Sequence, residues 1–245
     1  MLIEEMRASS QPTALTPCQG CRIRQHCFLS AQLPLDESEC ADVVRRRRQL
    51  PQGERLFHRH ADFTSLYQVC SGSLKTQRDT LYGGLYVSGF FFPGDIMGIE
   101  SIGHTQYTDD AIALTDAVVC QLDYQRLLSL CTGKPGVNRW MIGSIGTYLR
   151  RKDGDLAWSS TLPADRRVLR FFLELNQRLT PNTAQPQQPL QCLPMRKQDI
   201  AHYLRMTPET FSRNLAILRR KGLLHIDQGR FLLPDTSRAK ALTRL

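Results

Sequence analysis

No apolar run in the 245 residues approaches the roughly 20 that a membrane-spanning helix needs. The first seventeen residues lack the apolar stretch of a secretory signal. The expectation is a cytoplasmic chain without membrane association. Residues 90–125 contain no lysine or arginine, while Asp95, Glu100, Asp109, Asp110, Asp116 and Asp123 are all acidic. A phosphate-bearing ligand would find no cationic partner in that segment. A disulfide framework is not expected either, because eight cysteines in a reducing compartment read instead as metal-binding or redox-active where they cluster.

They do cluster. Cys18, Cys21 and Cys27 stand at C-x2-C-x5-C spacing, with Arg22, Arg24 and His26 between them. Thiolates this close share a metal, a cluster or a disulfide. A fourth ligand would come from Cys40, Cys70, Cys120, Cys131 or Cys192, and spacing alone leaves the choice open. Cys70 and Cys192 lie in strand-like runs and read as buried small hydrophobes. Charge is uneven as well. The net charge is +9, and residues 194–245 hold eleven Lys and Arg against four Asp and Glu. A basic segment at one end suggests a polyanionic partner.

Residues 1–17 show no periodicity. Asp36 can cap a short helix through Val44, and Arg45-Arg46-Arg47-Arg48 reads as a solvated strand edge or a nucleic-acid contact. From about 45 to 125, short segments are broken by glycine. Leu66–Cys70 and Ser71–Lys75 read as a hairpin, Leu85–Phe92 as a strand, and Ala111–Leu114 and Ala117–Leu122 as two more. Turn signals at this spacing predict a β-sandwich or barrel, here a jelly roll. Residues 135–152 change to helical spacing, with Val137, Met141, Ile145 and Leu149 four apart and Trp140 and Tyr148 beside them. A long helix between two domains can serve as a dimer seam, weakened by about 1 kcal/mol at each of Gly143 and Gly146. A second helix follows at Ala164–Leu179, and the proline- and glutamine-rich stretch 176–194 reads as a linker.

The basic end carries a recognisable element. Ile200, Ala201 and Leu204 mark one helix, Arg205-Met206-Thr207 a break, and Thr207-Pro208-Glu209 the capped start of a second helix that Gly222 stops. This is a helix-turn-helix, and Leu223–Leu233 adds a hairpin wing. Glu209, Ser212 and Arg213 share one face of the second helix, opposite Phe211, Leu215 and Leu218. Residues placed there reach base edges in the major groove of double-stranded DNA. Arg213 can grip guanine, Glu209 can accept from cytosine, and Ser212 can meet a thymine methyl. Lys197, Arg219, Arg220 and Lys221 are placed for phosphates.

An α+β chain with a β-roll, a long helix and a C-terminal winged helix-turn-helix resembles the CRP/FNR regulators, over roughly residues 18–235. Gly53, Ser71-Gly72, Gly94-Asp95 and Gly98 stand where that family's cyclic-nucleotide-binding-like roll turns. The Glu209-x-x-Ser212-Arg213 pattern is similar to the FNR branch, which reads TTGAT-type half-sites as a homodimer. The cysteine run with a lone cysteine after it is similar to the oxygen-sensing members, whose four cysteines hold an oxygen-labile 4Fe-4S cluster. The resemblance implies Cys18, Cys21, Cys27 and Cys120 as ligands, a dimer helix using Met141, Ile145, Tyr148 and Leu149, and contact with RNA polymerase. It divides the chain into a cluster-binding arm (1–30), a roll sensor domain (31–133), a dimerisation helix (134–160) and a DNA-binding domain (161–245). The missing cations of residues 90–125 argue against the cyclic-nucleotide branch.

Two features depart from the FNR pattern. Arg22 and Arg24 stand between ligands, where they would stabilise an anionic cluster and shift its redox poise. Lys152, Asp153 and Asp155 space the helix charges differently. Four thiolates also bind zinc, so a zinc- or thiol-based redox regulator of the same fold is the alternative. An iron–sulfur redox enzyme or electron carrier is a remoter one. It leaves the winged helix unexplained, and no substrate cleft is legible.

Overall fold

The computed structural model describes residues 43–81, 83–180 and 190–243. The cysteine run at 18–27, Cys40 and most of the helix expected from Asp36 lie outside these residues. Eight strands build the roll: β1 (Val44–Leu50), β2 (Arg55–Phe57), β3 (Ser65–Ser71), β4 (Leu74–Asp79), β5 (Leu85–Phe91), β6 (Ile96–Met97), β7 (Asp110–Ala113) and β8 (Ala117–Asp123). They form two antiparallel sheets, ordered β1-β8-β3-β6 and β2-β7-β4-β5.

The expected hairpin between Leu66–Cys70 and Ser71–Lys75 is not formed. β3 and β4 belong to different sheets, and the chain turns a corner at Ser71-Gly72-Ser73. Gly72 makes the corner possible. Its φ is +76°, and a Cβ there would lie 2.3 Å from the Asp116 carbonyl oxygen, so no larger residue fits.

Alternation along the strands sorts side chains onto two faces. On β8, Ala117 and Val119 point into the roll with Leu50, Phe57, Tyr67, Val69, Leu74 and Tyr107. Leu122 lies on the outer face with Val44, Leu66 and Cys70, and Val118 and Cys120 pack against the same group. Helices cover that outer face. Asp123 caps α1 (Tyr124–Gly133) by accepting from the Arg126 amide. Pro135 then opens α2, 27 residues from Pro135 to Thr161. Leu127 of α1 and Val137 and Met141 of α2 complete the outer cluster.

Beyond α2, α3 (Ala164–Leu179) buries Val168, Leu169, Phe171, Phe172, Leu173 and Leu175 along one stripe. Each such burial stabilises by about 1.5–3 kcal/mol relative to exposure. β9 (Gln191–Cys192), α4 (Lys197–Tyr203), α5 (Pro208–Arg220), β10 (His225–Asp227), β11 (Arg230–Leu232) and α6 (Thr236–Leu242) follow. β10, β11 and β9 form a three-stranded wing, and its Gln228-Gly229 turn has positive φ at both positions, as a two-residue I′ hairpin requires. Cys192 was expected in the core but is exposed, because β9 is the short outer strand of the wing.

The two halves share a core. Val87, Phe90, Phe92 and Leu114 of the roll join Trp158, the α3 stripe and Ile200, Phe211 and Phe231 of the C-terminal domain. Polar ties cross the same boundary. Lys75 Nζ donates to Asp199 Oδ1 at 2.5 Å, and Tyr203 Oη donates to Asp155 Oδ2 at 2.8 Å. Arg178 donates to the Phe90 carbonyl and pairs with Asp95.

Glu100 lies in the single helical turn after β6, and neither carboxylate oxygen makes a well-formed hydrogen bond among the described residues. Burial pushes its carboxyl from 4.5 up to about 7, and the nearby Asp109 charge adds to the effect against Lys152. A raised folded-state value makes the native state bind the extra proton. This contribution is therefore full below about pH 4.5 and is lost as the pH rises through about 7. Glu100→Gln should be more stable than the parent above neutrality, by on the order of 3 kcal/mol, with the gap closing in acid. Urea unfolding across that pH range measures it, and an unchanged pH slope in the variant would count against this assignment.

Candidate nucleic-acid interface and thiol centre

The second helix of the helix-turn-helix is set by its own sequence and held by its buried face. Thr207 caps α5 by accepting from the Thr210 amide, and Pro208 occupies the first turn, where no amide is needed. Phe211, Asn214 and Leu218 face inward. Asn214 Nδ2 donates to the Thr210 carbonyl at 2.8 Å, so a polar residue is tolerated there. Glu209, Ser212 and Arg213 are exposed on the opposite face, as their spacing predicts. The Glu209 carboxyl is held below its usual range by its own amide and the Thr207 hydroxyl, with Arg213 assisting. Arg213 donates to Thr210 Oγ1 at 3.2 Å, which steadies a guanidinium otherwise open to solvent.

Lys197, Arg219, Arg220 and Lys221 are also exposed. Lys221 donates to Asp165 Oδ2 of α3 at 3.0 Å and so braces the end of α5. Asp199 points the other way, into the Lys75 pair. That pair carried no sequence signal, since its members are 124 residues apart.

On the long helix, the four residues expected at a seam divide. Met141 is buried in its own chain's outer cluster, and Ile145 and Tyr148 lean on that cluster. Leu149 is exposed. It lies between Ile142 and Leu156, which are 62% and 57% exposed, and the three sit seven residues apart on one stripe. Ile142 and Leu156 escaped the sequence reading because the four-residue rhythm of Val137 and Met141 belongs to the face that packs on the roll.

Cys120 is the one cysteine of the expected ligand set within the described residues. It is half-buried on the outer face of β8, where β1 and β3 flank it. Arg47 stands opposite it on β1 and Gln68 opposite it on β3. Its Sγ lies 3.3 Å from Cys70 Sγ. The Cys70 thiol is drawn below its ordinary value by the Cys120 hydrogen bond, against its burial, with Arg47 helping. Cys70 is buried in the outer cluster, as its strand-like run predicts, and Arg47 lies on the edge strand β1; their proximity to Cys120 carried no sequence signal. Among the described residues, no three His, Cys, Asp or Glu side chains gather as a metal site. No described helix is long and apolar enough to cross a membrane.

A roll docked on a winged helix-turn-helix, with a polar face on an exposed capped helix, defines a DNA-binding transcription regulator rather than an enzyme. Residues 166–242 match the Crp-like helix-turn-helix domain, and residues 47–134 match the cyclic nucleotide-binding domain. The chain belongs to the CRP/FNR family. It is 27% identical over 226 residues to the fumarate and nitrate reduction regulatory protein of Salmonella typhimurium, covering 91% of this chain and 88% of that one. The Escherichia coli K12 protein of the same name matches with the same identity and coverage. Among solved structures, FixK2 from Bradyrhizobium japonicum superposes with a TM-score of 0.73 at 24% identity, over 81% of this chain and 97% of that one. A CooA mutant from Carboxydothermus hydrogenoformans superposes with a TM-score of 0.67 at 17% identity, over 86% and 92%.

Proposed function

We propose that the chain is a cytoplasmic, oxygen- or redox-responsive transcription regulator in which Cys18, Cys21, Cys27 and Cys120 hold a 4Fe-4S cluster. The observation that carries this reading is the position of Cys120. It is half-exposed, has Arg47 opposite it, and packs against the apolar cluster that seats the start of α2. The donor chemistry fits, because an anionic four-thiolate centre gains from a nearby cation. When bound, the cluster supplies an oxygen-labile tie between the N-terminal arm and the roll.

The rest of the device is made of this chain's residues. Leu122, Leu127, Val137 and Met141 transmit the packing around Cys120 to α2. Ile142, Leu149 and Leu156 form the seam of a homodimer. The dimer presents two copies of α5 to half-sites of TTGAT type one helical turn apart. Glu209, Ser212 and Arg213 read bases, while Lys197, Arg219, Arg220 and Lys221 hold phosphates. The bound dimer then contacts RNA polymerase. Cyclic nucleotide is not part of this reading, since Phe57 and Tyr107 stack at 4.0 Å inside the roll, beside Tyr67.

Anaerobic purification with iron and sulfide analysis tests the proposal. A brown protein that bleaches in air, with operator binding that falls in step, supports it. A colourless protein with stoichiometric zinc overturns the cluster and leaves DNA binding in place. Independently, Leu149→Asp should weaken self-association by more than about tenfold, through a charge in the centre of an apolar seam. Sedimentation of the two proteins measures this, and an unchanged dimer constant would exclude the stripe as the seam.

A further inference from the structure

We propose that Cys70 and Cys120 are an oxidation site of their own, joining in a reversible disulfide when a peroxide reaches the roll. Neither is in a disulfide, and their sulfurs lie 3.3 Å apart. The strands bring them together. β3 and β8 are antiparallel neighbours, and Cys120 pairs with Gln68. A register shift between Val69 and Ser71 makes Cys70 the extra residue of a bulge. The bulge re-aims Cys70 at its diagonal neighbour across the ladder. Both side chains belong to the outer apolar cluster.

Exposure assigns the order of events. Cys70 is 6% exposed, whereas Cys120 is half-buried, so an oxidant meets Cys120 first. Cys120 Sγ attacks one oxygen of hydrogen peroxide, the O–O bond breaks, water leaves, and Cys120 becomes a sulfenic acid. Cys70 Sγ then attacks the Cys120 sulfur. The S–O bond breaks, and hydroxide leaves with the Cys70 proton as a second water. Two thiols thereby give two electrons and two protons to one peroxide. The disulfide occupies the thiolate that a metal would need, so the roll would retain a record of oxidation until a thiol reductant clears it. That last consequence rests on the four-thiolate reading above, but the disulfide itself does not.

The test treats the full-length, metal-free chain with hydrogen peroxide, blocks remaining thiols by alkylation and maps the peptides by mass. A Cys70–Cys120 linked peptide that grows with peroxide and vanishes with reductant is expected. A Cys70 that stays alkylatable while Cys120 is consumed would overturn the proposal. Cys70→Ala provides a second readout. Without its resolving partner, Cys120 should accumulate as sulfinic acid several-fold above the parent, and equal accumulation in both proteins would also overturn it. Iron uptake by the oxidised parent should need prior reduction. A fully reduced chain that takes up no iron sinks the four-thiolate reading, while the linked peptide, read by mass alone, still decides the disulfide.

Discussion

Cys120→Ser is expected to strip the chain of iron and, with it, of anaerobic operator binding. Three thiolates close together on one arm can hold metal weakly, but they leave one corner of a cluster open to solvent and oxygen. Losing a ligand outright should cost more than the roughly 10–100-fold that loss of a ligand's supporting contact costs in metal affinity. The mechanical consequence is as important. In the proposed cluster Cys120 is the ligand supplied by the roll, and Leu122, Leu127, Val137 and Met141 of the same apolar cluster form the seat of α2. Serine is close in size and half-exposed at this position, so the fold should survive the change. Iron analysis and operator binding under nitrogen give the result. Cys192→Ser, on the exposed outer strand of the wing, is the matched control and should leave both unchanged. If Cys120→Ser keeps its iron, the fourth ligand lies elsewhere.

Arg213→Ala should lower operator affinity by roughly 1–3 kcal/mol, about fivefold to more than a hundredfold, and relax the requirement at one base pair. The side chain is exposed at the start of α5 and steadied by Thr210, so its removal disturbs no core contact. Arg219→Ala makes the contrast. It should weaken binding evenly across operator variants and reduce the salt slope by about one, as expected for a phosphate contact. Titrations of a panel of single-base operator variants at two salt concentrations separate the two effects. Uniform loss for Arg213→Ala would remove it from the base-reading set.

The reading helix was legible in the sequence because its determinants are local. A cap, a proline at the first helical position, an apolar stripe and a terminating glycine all act within a few residues. The roll's strands were legible for a similar reason, through their spacing and turn glycines. The partners of those strands were not. Ser71-Gly72-Ser73 looks like a hairpin turn until Asp116 and Ala117 approach Gly72 and turn the chain into the other sheet. The apolar residues of α2 form two stripes, and only the roll's position shows that Met141 packs within its own chain while Ile142, Leu149 and Leu156 stay exposed.

By itself, then, the sequence determined the order of roll, long helix and winged helix-turn-helix, and the polar face of α5. The cysteine run pointed to thiolate chemistry in the same way, through residues close together in the chain. Tertiary structure alone decided that Lys75 meets Asp199, that Arg47 stands across from Cys120, and that Cys70 is its nearest thiol among the described residues. These pairings depend on strand register, a bulge and the docking of one domain on another. Such features are set by the sum of many weak contacts between distant segments, and no short stretch of residues encodes that sum.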